Sequence, residues 1–357
     1  MRRFLPVLPL LALLPLASAP RAQAPAPAAS AYAPAWYAES AQTLPSSGTG
    51  WGTIALDAAG NRLFVARQQD GLLVWDTRTR EAGTVEDSKG AIAPVIVAEF
   101  GRAYVAMVDG TMLTLDLKTL KPLARTELGV GDLNDGVYDE ANKRLYMISG
   151  TRPEKTVWVA IDAATGQVLG RTEFNSRTMD TPAVGDDGVL YATMRDRGLL
   201  QQLDPKDLSL QKTWRLGDCT QPAATEWDAV AKRVLIACRG DKPVFIALDP
   251  AAGVVATVPI GRGVDGLVMD PERHLIVTAN GADGTMSVIR QDSPNDYSLV
   301  ETIATRPMAR TLAIDPVTRR LFSVTASFTQ PVAGPDGKLP PAVFHPDSFT
   351  ILTYRPN

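Results

Sequence analysis

Charged residues recur at matching points of an internal repeat, and they are the chain's main candidates for chemistry. Three aspartates and one arginine each stand a few residues before the aspartate that opens the first turn of their repeat unit, and two more arginines occupy neighbouring loops. The candidate ligand-binding residues are Arg67, Asp135, Asp180, Arg195, Asp265 and Arg310. Carboxylate and guanidinium groups that converge on one opening can hold a polar or ionic ligand by charge-assisted hydrogen bonds. The same groups can instead pair with one another around a water-filled channel.

Other catalytic signatures are missing from the sequence. The two histidines, His274 and His345, have no metal-ligand partner at helical or hairpin spacing. The chain has no Gly-x-Ser-x-Gly elbow and no phosphate-loop or dinucleotide-binding motif. We therefore predict no catalytic residue and no cofactor, and we expect a small polar ligand or a protein as the partner.

The repeat that positions these charges predicts the fold. Each unit reads as a strand, an Asp-Pro or Asn-rich turn, a second strand, a Gly-rich turn, a third strand and an outer strand. The first apolar residues of the second strands are Leu63, Ala103, Leu145, Leu190, Val234, Leu275 and Leu321. A period of roughly forty residues with short strands is typical of a propeller. We predict an all-β protein, a seven-bladed β-propeller with four-stranded antiparallel blades.

The ends of the chain predict how the ring closes. The seventh unit stops after its third strand, at Tyr354, whereas Trp36 to Leu44 has the length and alternation of an outer strand. We predict that this N-terminal strand completes the last blade, which removes an exposed sheet edge. The propeller then spans residues 36–357.

The segment before the propeller indicates export. Residues 1–28 begin with Met1, Arg2 and Arg3, which a short apolar run follows, as in a secretory signal peptide, and residues 29–35 form an Ala/Pro linker. We therefore expect a periplasmic protein that is not stably inserted in the membrane after cleavage and is a monomer. The net charge of −3 is spread evenly, without a basic stripe, so nucleic acid is an unlikely partner.

The units resemble those of the YVTN/YncE family of seven-bladed β-propellers. The copies nearest to that pattern are DPERHLIVTANGADGTMSVI from Asp270, DEANKRLYMISG from Asp139 and DPVTRRLFSV from Asp315. The resemblance covers nearly the whole mature chain and implies an exported binding or scaffolding protein.

A metal-dependent enzyme is the alternative to a binding protein. Lactone-hydrolysing propellers hold a divalent cation in the channel with Glu, Asn and Asp oxygens. The oxygen donors that could form a partial set here are Asp132, Asn134, Asp135, Asp180 and Asp265. A divalent-metal-dependent hydrolase of the lactonase type is therefore the second hypothesis.

Two further features stand out. Cys219 and Cys238 are equidistant from the expected first turn of the fifth unit, so we predict that they lie opposite each other on neighbouring strands and form a disulfide in an oxidising compartment. The seventh unit carries a long Pro-rich loop from Ser327 to Asp347, on the face where propeller ligands bind. That loop is either a functional cap or docking surface, or an ordered spacer.

Overall fold

The computed structural model describes residues 33–334 and 339–357, so the predicted signal peptide and most of the linker lie outside the described residues. In the described part, seven four-stranded antiparallel sheets form a ring, and the predicted seven-bladed β-propeller is confirmed. Two short 3-10 turns, Ala98–Phe100 and Arg195–Arg197, follow strands in blades 2 and 4. No helix within the described ranges is long and apolar enough to span a membrane.

Within each blade, the strands are named first to outer, from the channel to the rim. Blade 1 consists of Ile54–Asp57, Arg62–Ala66, Leu72–Asp76 and Ala82–Thr84. Blade 2 consists of Ala91–Val97, Arg102–Met107, Thr111–Asp116 and Pro122–Glu127. Blade 3 consists of Leu133–Asp139, Arg144–Ser149, Thr156–Asp162 and Val168–Phe174. Blade 4 consists of Ala183–Val184, Leu190–Met194, Leu199–Leu203 and Leu210–Arg215.

The remaining blades follow the same plan. Blade 5 consists of Gln221–Asp228, Arg233–Arg239, Val244–Asp249 and Gly253–Pro259. Blade 6 consists of Val264–Asp270, Leu275–Asn280, Thr285–Ser293 and Asp296–Ala304. Blade 7 consists of Ala313–Ile314, Leu321–Thr325, Phe349–Pro356 and, as its outer strand, Trp36–Leu44. A separate two-stranded sheet, Phe328–Thr329 with Val343–Phe344, forms in the long loop of blade 7.

The hydrophobic core lies between neighbouring blades. Both faces of each sheet are covered, so the middle strands are apolar on both faces instead of alternating with polar residues. Between blades 1 and 7, for example, Leu63 and Trp75 pack in one cluster with Phe322, and the rings of Trp75 and Phe322 meet edge to face at 6.0 Å. This packing holds the blades in fixed relative positions and therefore fixes the channel that they surround.

The N-terminal strand closes the ring as predicted. Trp36–Leu44 pairs antiparallel with Phe349–Pro356, in a register that runs from Trp36 opposite Pro356 to Leu44 opposite Phe349. The buried indole of Trp36 donates a hydrogen bond from Nε1 to the carbonyl of Arg319 at 2.7 Å. The two ends of the propeller are thus joined by main-chain and side-chain bonds.

A β-bulge interrupts the outer strands of blades 2 to 7 near the start of each strand; in blade 7, whose outer strand is the N-terminal strand, the bulge lies between Ala38 and Ser40. The outer strand of blade 1 is instead only three residues long, Ala82–Thr84. Bulges and very short strands both hinder edge-to-edge pairing of sheets.

The disulfide between Cys219 and Cys238 is confirmed, with a Cα–Cα distance of 5.3 Å. The predicted pairing geometry is wrong, however. Cys238 lies opposite Pro222 in the register, and Cys219 stands in the turn before the first strand of blade 5. The turn between the strands is centred further along the chain than predicted, and a bulge between Pro222 and Ala224 shifts the register again. The bond therefore ties the segment that leads into the first strand to the end of the second strand.

Candidate functional site

One end of the channel opens into a cavity of about 780 Å³. Here the first strands of the blades begin and the second strands end, because the strands of each blade are antiparallel. Five of the six predicted binding residues line this cavity: Asp135, Asp180, Arg195, Asp265 and Arg310. The structure therefore brings together side chains that come from blades 3, 4, 6 and 7.

Bulges at the start of the first strands set the direction of these side chains. The first strands of blades 2, 3, 5 and 6 each carry an extra residue at the channel mouth. Asp265 is the extra residue in blade 6, whereas the extra residue in blade 3 is Asn134, and Asp135 follows it. This one-residue offset explains why Asp265 is partly exposed at the mouth while Asp135 is buried.

Asp265 is the centre of an ion-pair network. Its Oδ2 lies 3.1 Å from Nε of Arg310, and its Oδ1 contacts Nη2 of Arg239. Nη2 of Arg195 lies 3.9 Å from the same Oδ1. One carboxylate is thus shared by three guanidinium groups, which come from the ends of second strands in blades 4 and 5 and from the segment before the first strand of blade 7.

Two of these arginines also bind backbone carbonyls. Nε of Arg239 donates to the carbonyl of Val264 at 2.6 Å. Nη2 of Arg310 donates to the carbonyl of Trp51 at 3.0 Å, and its guanidinium lies over the Trp51 ring. These contacts fix both side chains at the wall of the cavity.

Asp180 is the most unusual carboxyl group of the site. The residue is only 6% exposed, and its Oδ1 accepts a hydrogen bond from Nη2 of Arg195 at 2.6 Å. Its Oδ2 is buried and has no hydrogen-bond partner among the residues that the structure describes. Burial raises the pKa of Asp180 to about 7, against the opposing effect of Arg195 and with a further contribution from the negative charges of Asp265 and Asp135. Asp180 therefore changes protonation state near neutral pH.

Asp135 is held by the neighbouring blade. Its Oδ2 accepts hydrogen bonds from the backbone amide of Thr181, at 3.1 Å, and from the Thr181 hydroxyl, and its Oδ1 accepts one from the amide of Gly136 at 2.9 Å. Burial nevertheless raises its pKa above the usual range. Asp135 thus links blades 3 and 4 and keeps Thr181, next to Asp180, in place.

Sequence reasoning missed two groups at the cavity. Arg239 contributes to the network around Asp265, and its position at the end of a second strand, like that of Arg195, was the available signal. Glu226 also lines the cavity and forms no ion pair with any described residue. Burial raises its pKa to about 7, opposed by a hydrogen bond from the backbone of Trp227. An acid two residues before Asp228, where other units carry an apolar residue, was the signal in the sequence.

Arg67 lies outside the cavity. Its guanidinium donates to the carbonyl of Pro45 at 2.9 Å and to the hydroxyl of Thr84 at 3.2 Å, and it packs over the ring of Phe349. Burial lowers its pKa. The neighbouring residue, Gln68, lines the cavity instead. Arg67 therefore holds blade 1 against blade 7.

Four of the five residues of the metal hypothesis, Asn134, Asp135, Asp180 and Asp265, line the cavity, but they do not form a metal-ligand cluster. Asp132 is exposed and pairs with Arg152 at 2.6 Å, Asp135 is bound to Thr181, and Asp265 is shared by arginines. Among residues 33–334 and 339–357, no group of three or more His, Cys, Asp or Glu side chains has a geometry that could hold a metal ion. The cations closest to these carboxylates are guanidinium groups.

The long loop of blade 7 begins and ends beside the cavity. Phe344 packs against Trp51, a cavity-lining residue, with ring centroids 4.9 Å apart. Nε2 of His345 is 2.8 Å from the hydroxyl of Thr329 across the small sheet of the loop. Apolar side chains remain exposed along it, namely Val332 (87%), Leu339 (67%) and Val343 (57%).

Solved structures of similar fold define the class of protein. No described protein family and no curated protein matches the sequence. A chain in the crystal structure of the mitotic checkpoint complex matches with a TM-score of 0.72 and 16% identity, over 98% of this chain and 99% of that chain. A chain of Kuenenia stuttgartiensis hydrazine synthase matches with a TM-score of 0.67 and 13% identity, over 78% of this chain and 94% of that chain. At such identities the matches show the fold alone. The seven sheets and the cavity described above make the chain a seven-bladed β-propeller with a charged cavity at one end of its channel.

Proposed function

We propose that this chain is an exported, non-catalytic propeller of the YVTN/YncE type that binds a small polar ligand at the channel mouth. The observation that carries the proposal is Oδ2 of Asp180, a buried acceptor without a partner in a cavity of about 780 Å³. Buried polar atoms are nearly always hydrogen-bonded, and each exception calls for an explanation.

The charge network of the mouth pairs each of its guanidinium groups but leaves carboxyl oxygens open toward the cavity. The arginines of the mouth satisfy Asp265 and one oxygen of Asp180, but the second oxygen of Asp180 and the carboxylate of Glu226 have no cationic partner. A polar ligand in the cavity supplies what the protein lacks.

Export is supported by two features. The Cys219–Cys238 bond is of the kind that persists in oxidising compartments such as the periplasm. The residues before the propeller have the composition of a signal peptide. Detection of a processed chain in the periplasmic fraction, with an N-terminus near Ala28, tests this part of the proposal.

The first test is native mass spectrometry, paired with elemental analysis, of mature protein purified without chelator from its native compartment. The proposal expects a bound small molecule, lost in Asp180→Asn and retained in Asp186→Asn. Asp186 is the matched control because it lies at the opposite end of the channel, in the turn between the first and second strands of blade 4. There it pairs with Lys232 of blade 5. About one calcium, magnesium or zinc ion per chain would instead support the metal-dependent hydrolase. A wild-type protein without any bound molecule would contradict the proposal.

A protein partner is the second candidate function, and the exposed apolar side chains of the Ser327 to Asp347 loop favour it. Replacing Val332, Leu339 and Val343 with serine leaves the buried core untouched. If the loop docks a partner, these substitutions abolish crosslinks to it in the native compartment, whereas Asp180→Asn does not. Unchanged crosslinks would rule out the loop as the docking surface.

A further inference from the structure

Each guanidinium group at the channel mouth has a carboxylate counter-charge, whereas Asp180 and Glu226 keep open carboxyl oxygens. Among the described residues, the buried atoms of the cavity wall without a hydrogen-bond partner include Oδ2 of Asp180 and the N–H groups at Nε1 of Trp51, Nε of Arg195 and Nε of Arg310. The open donors belong to groups whose charge is zero or already paired, so the charge left to be balanced is that of a carboxylate. Arg195, Arg239 and Arg310 each pair with a carboxylate, and the last two also donate to backbone carbonyls. An anionic ligand would have to displace Asp265 or Asp180 from these guanidinium groups.

The open acceptors lie at two depths. Oδ2 of Asp180 is near the mouth. Glu226 lies two residues further along its first strand than Ala224, whose register position matches that of Asp135. At a rise of about 3.3 Å per residue, Glu226 is about 7 Å deeper in the channel than Ala224. Both carboxylates line the same cavity.

The net charge of the cavity lining also favours a cationic ligand. Its lining contains four carboxyl groups, those of Asp135, Asp180, Glu226 and Asp265, against the three guanidinium groups. At a pH above the raised pKa values of Asp135, Asp180 and Glu226, where every carboxyl group is ionised, the lining therefore carries one net negative charge.

The cavity is also larger than a bare metal ion requires, and part of its wall is apolar. Trp51, Met308 and Leu312 line it together with the charged groups. A ligand that fills such a site combines a cationic group with an apolar body.

We propose that the ligand of the channel mouth is an organic cation whose ammonium group binds Oδ2 of Asp180, with Glu226 as a second acceptor deeper in the channel. This inference rests on the proposed function and names the class of ligand. The ammonium group donates to a buried carboxylate oxygen of the cavity wall that has no partner among the described residues, and its alkyl part contacts the apolar wall.

Binding of such a cation is coupled to the release of a proton. Asp180 faces Arg195 from its own blade, Asp135 from blade 3, Arg239 from blade 5 and Asp265 from blade 6. Because the pKa of Asp180 is raised to about 7, the group is neutral at lower pH and cannot pair with an ammonium ion. The affinity therefore falls by up to about tenfold for each pH unit below 7.

The test measures the binding of three simple probes to the full mature chain, namely n-butylammonium, butanoate and 1-butanol. Isothermal titration calorimetry at pH 6 and pH 8 gives their affinities. We expect n-butylammonium to bind more tightly than 1-butanol, and more tightly at pH 8 than at pH 6. Asp180→Asn should weaken its binding by about tenfold or more, the range of a charge-assisted hydrogen bond. Glu226→Gln should weaken it too, and Asp186→Asn should leave it unchanged. Circular dichroism establishes that each variant is folded.

Three results would overturn the inference. Butanoate that binds in a manner dependent on Arg195 would show an anion site, which refutes the ligand class but upholds the proposed function. Binding of n-butylammonium unaffected by both Asp180→Asn and Glu226→Gln would place it elsewhere. If no probe binds while native mass spectrometry finds a retained molecule, the ligand is of another class and the proposed function stands.

Discussion

Arg310 and Asp265 connect the last two blades across the channel mouth, with Nε of Arg310 3.1 Å from Oδ2 of Asp265. The same carboxylate contacts Arg239 of blade 5 and lies 3.9 Å from Nη2 of Arg195 of blade 4. Asp265 therefore joins four blades around the opening, and the site is also a structural element of the ring.

Replacing this shared carboxylate should destabilise the propeller. We expect Asp265→Asn to lower the free energy of unfolding by about 2 kcal/mol, because it leaves up to three guanidinium groups without their counter-charge in a partly buried site. Urea denaturation measures the change. Asp186→Asn, which breaks an exposed pair, should cost less than about 1 kcal/mol. Equal effects of the two variants would show that the network adds no stability of its own.

The pH dependence of stability should reveal Asp180. Its folded-state pKa of about 7 lies above the unfolded value of about 3.9. Between these two pKa values the native state holds a proton that the unfolded chain has lost. The contribution of Asp180 to the free energy of unfolding therefore falls as pH rises, by up to about 1.4 kcal/mol per pH unit. It is lost above pH 7.

Urea unfolding at a series of pH values between 4 and 8 tests this. The slope for the wild type should be more negative than that for Asp180→Asn, which has no titrating group at this position. Parallel curves for the two proteins would contradict the raised pKa.

The closing strand depends on Trp36. We expect Trp36→Ala to lower the free energy of unfolding by about 3–5 kcal/mol, since it removes a fully buried ring that packs in the core of blades 6 and 7 and donates to Arg319. Tyr37 is the matched control, because its ring is half-buried and the guanidinium group of Arg355 lies over it. Tyr37→Ala should cost about 1 kcal/mol. Thermal and urea unfolding of both variants provide the comparison.

The disulfide should contribute about 3 kcal/mol to stability, the value expected for closing a loop of this length. We predict this loss for Cys219→Ala/Cys238→Ala, measured by urea unfolding. The wild type in reducing conditions should unfold like the double variant. If reductant leaves wild-type unfolding unchanged, the bond contributes little or does not form.

Much of the architecture could be read from local patterns. Alternation of apolar residues and turn-forming residues recurs in every unit, and it predicted the blades and the closing strand at Trp36. The aspartates that end third strands bind the turns that follow them: the carboxylate of Asp76, for example, accepts hydrogen bonds from the backbone amides of Arg78 and Thr79. Strands and turns depend on residues that are close in sequence, so the sequence is sufficient to predict them. The closing strand pairs with the distant segment Phe349–Pro356, and it was predicted because the seventh unit lacks an outer strand of its own.

The membership of the site could be predicted only in part. Position within the repeat correctly placed Asp135, Asp180, Asp265 and Arg310 at one opening. The predicted set of binding residues also contained Arg67, which lies outside the cavity, and lacked Arg239, which lines it. Neighbouring residues of a strand point to opposite faces, so an uncertainty of one position decides whether a side chain reaches the cavity. Arg67 turns toward Thr84, and the adjacent Gln68 faces the cavity.

The sequence by itself determined the number of blades, the closure of the ring and the existence of the disulfide, because each follows from periodicity, turn chemistry or the count of cysteines. Only the tertiary structure decided which charges meet. Bulges at Asn134 and Asp265 shift the strands by one residue, and contacts such as that of Asp135 with Thr181 join side chains of different blades, 46 residues apart in the chain. The unpaired oxygen of Asp180 results from that three-dimensional packing, and local sequence patterns cannot reveal it.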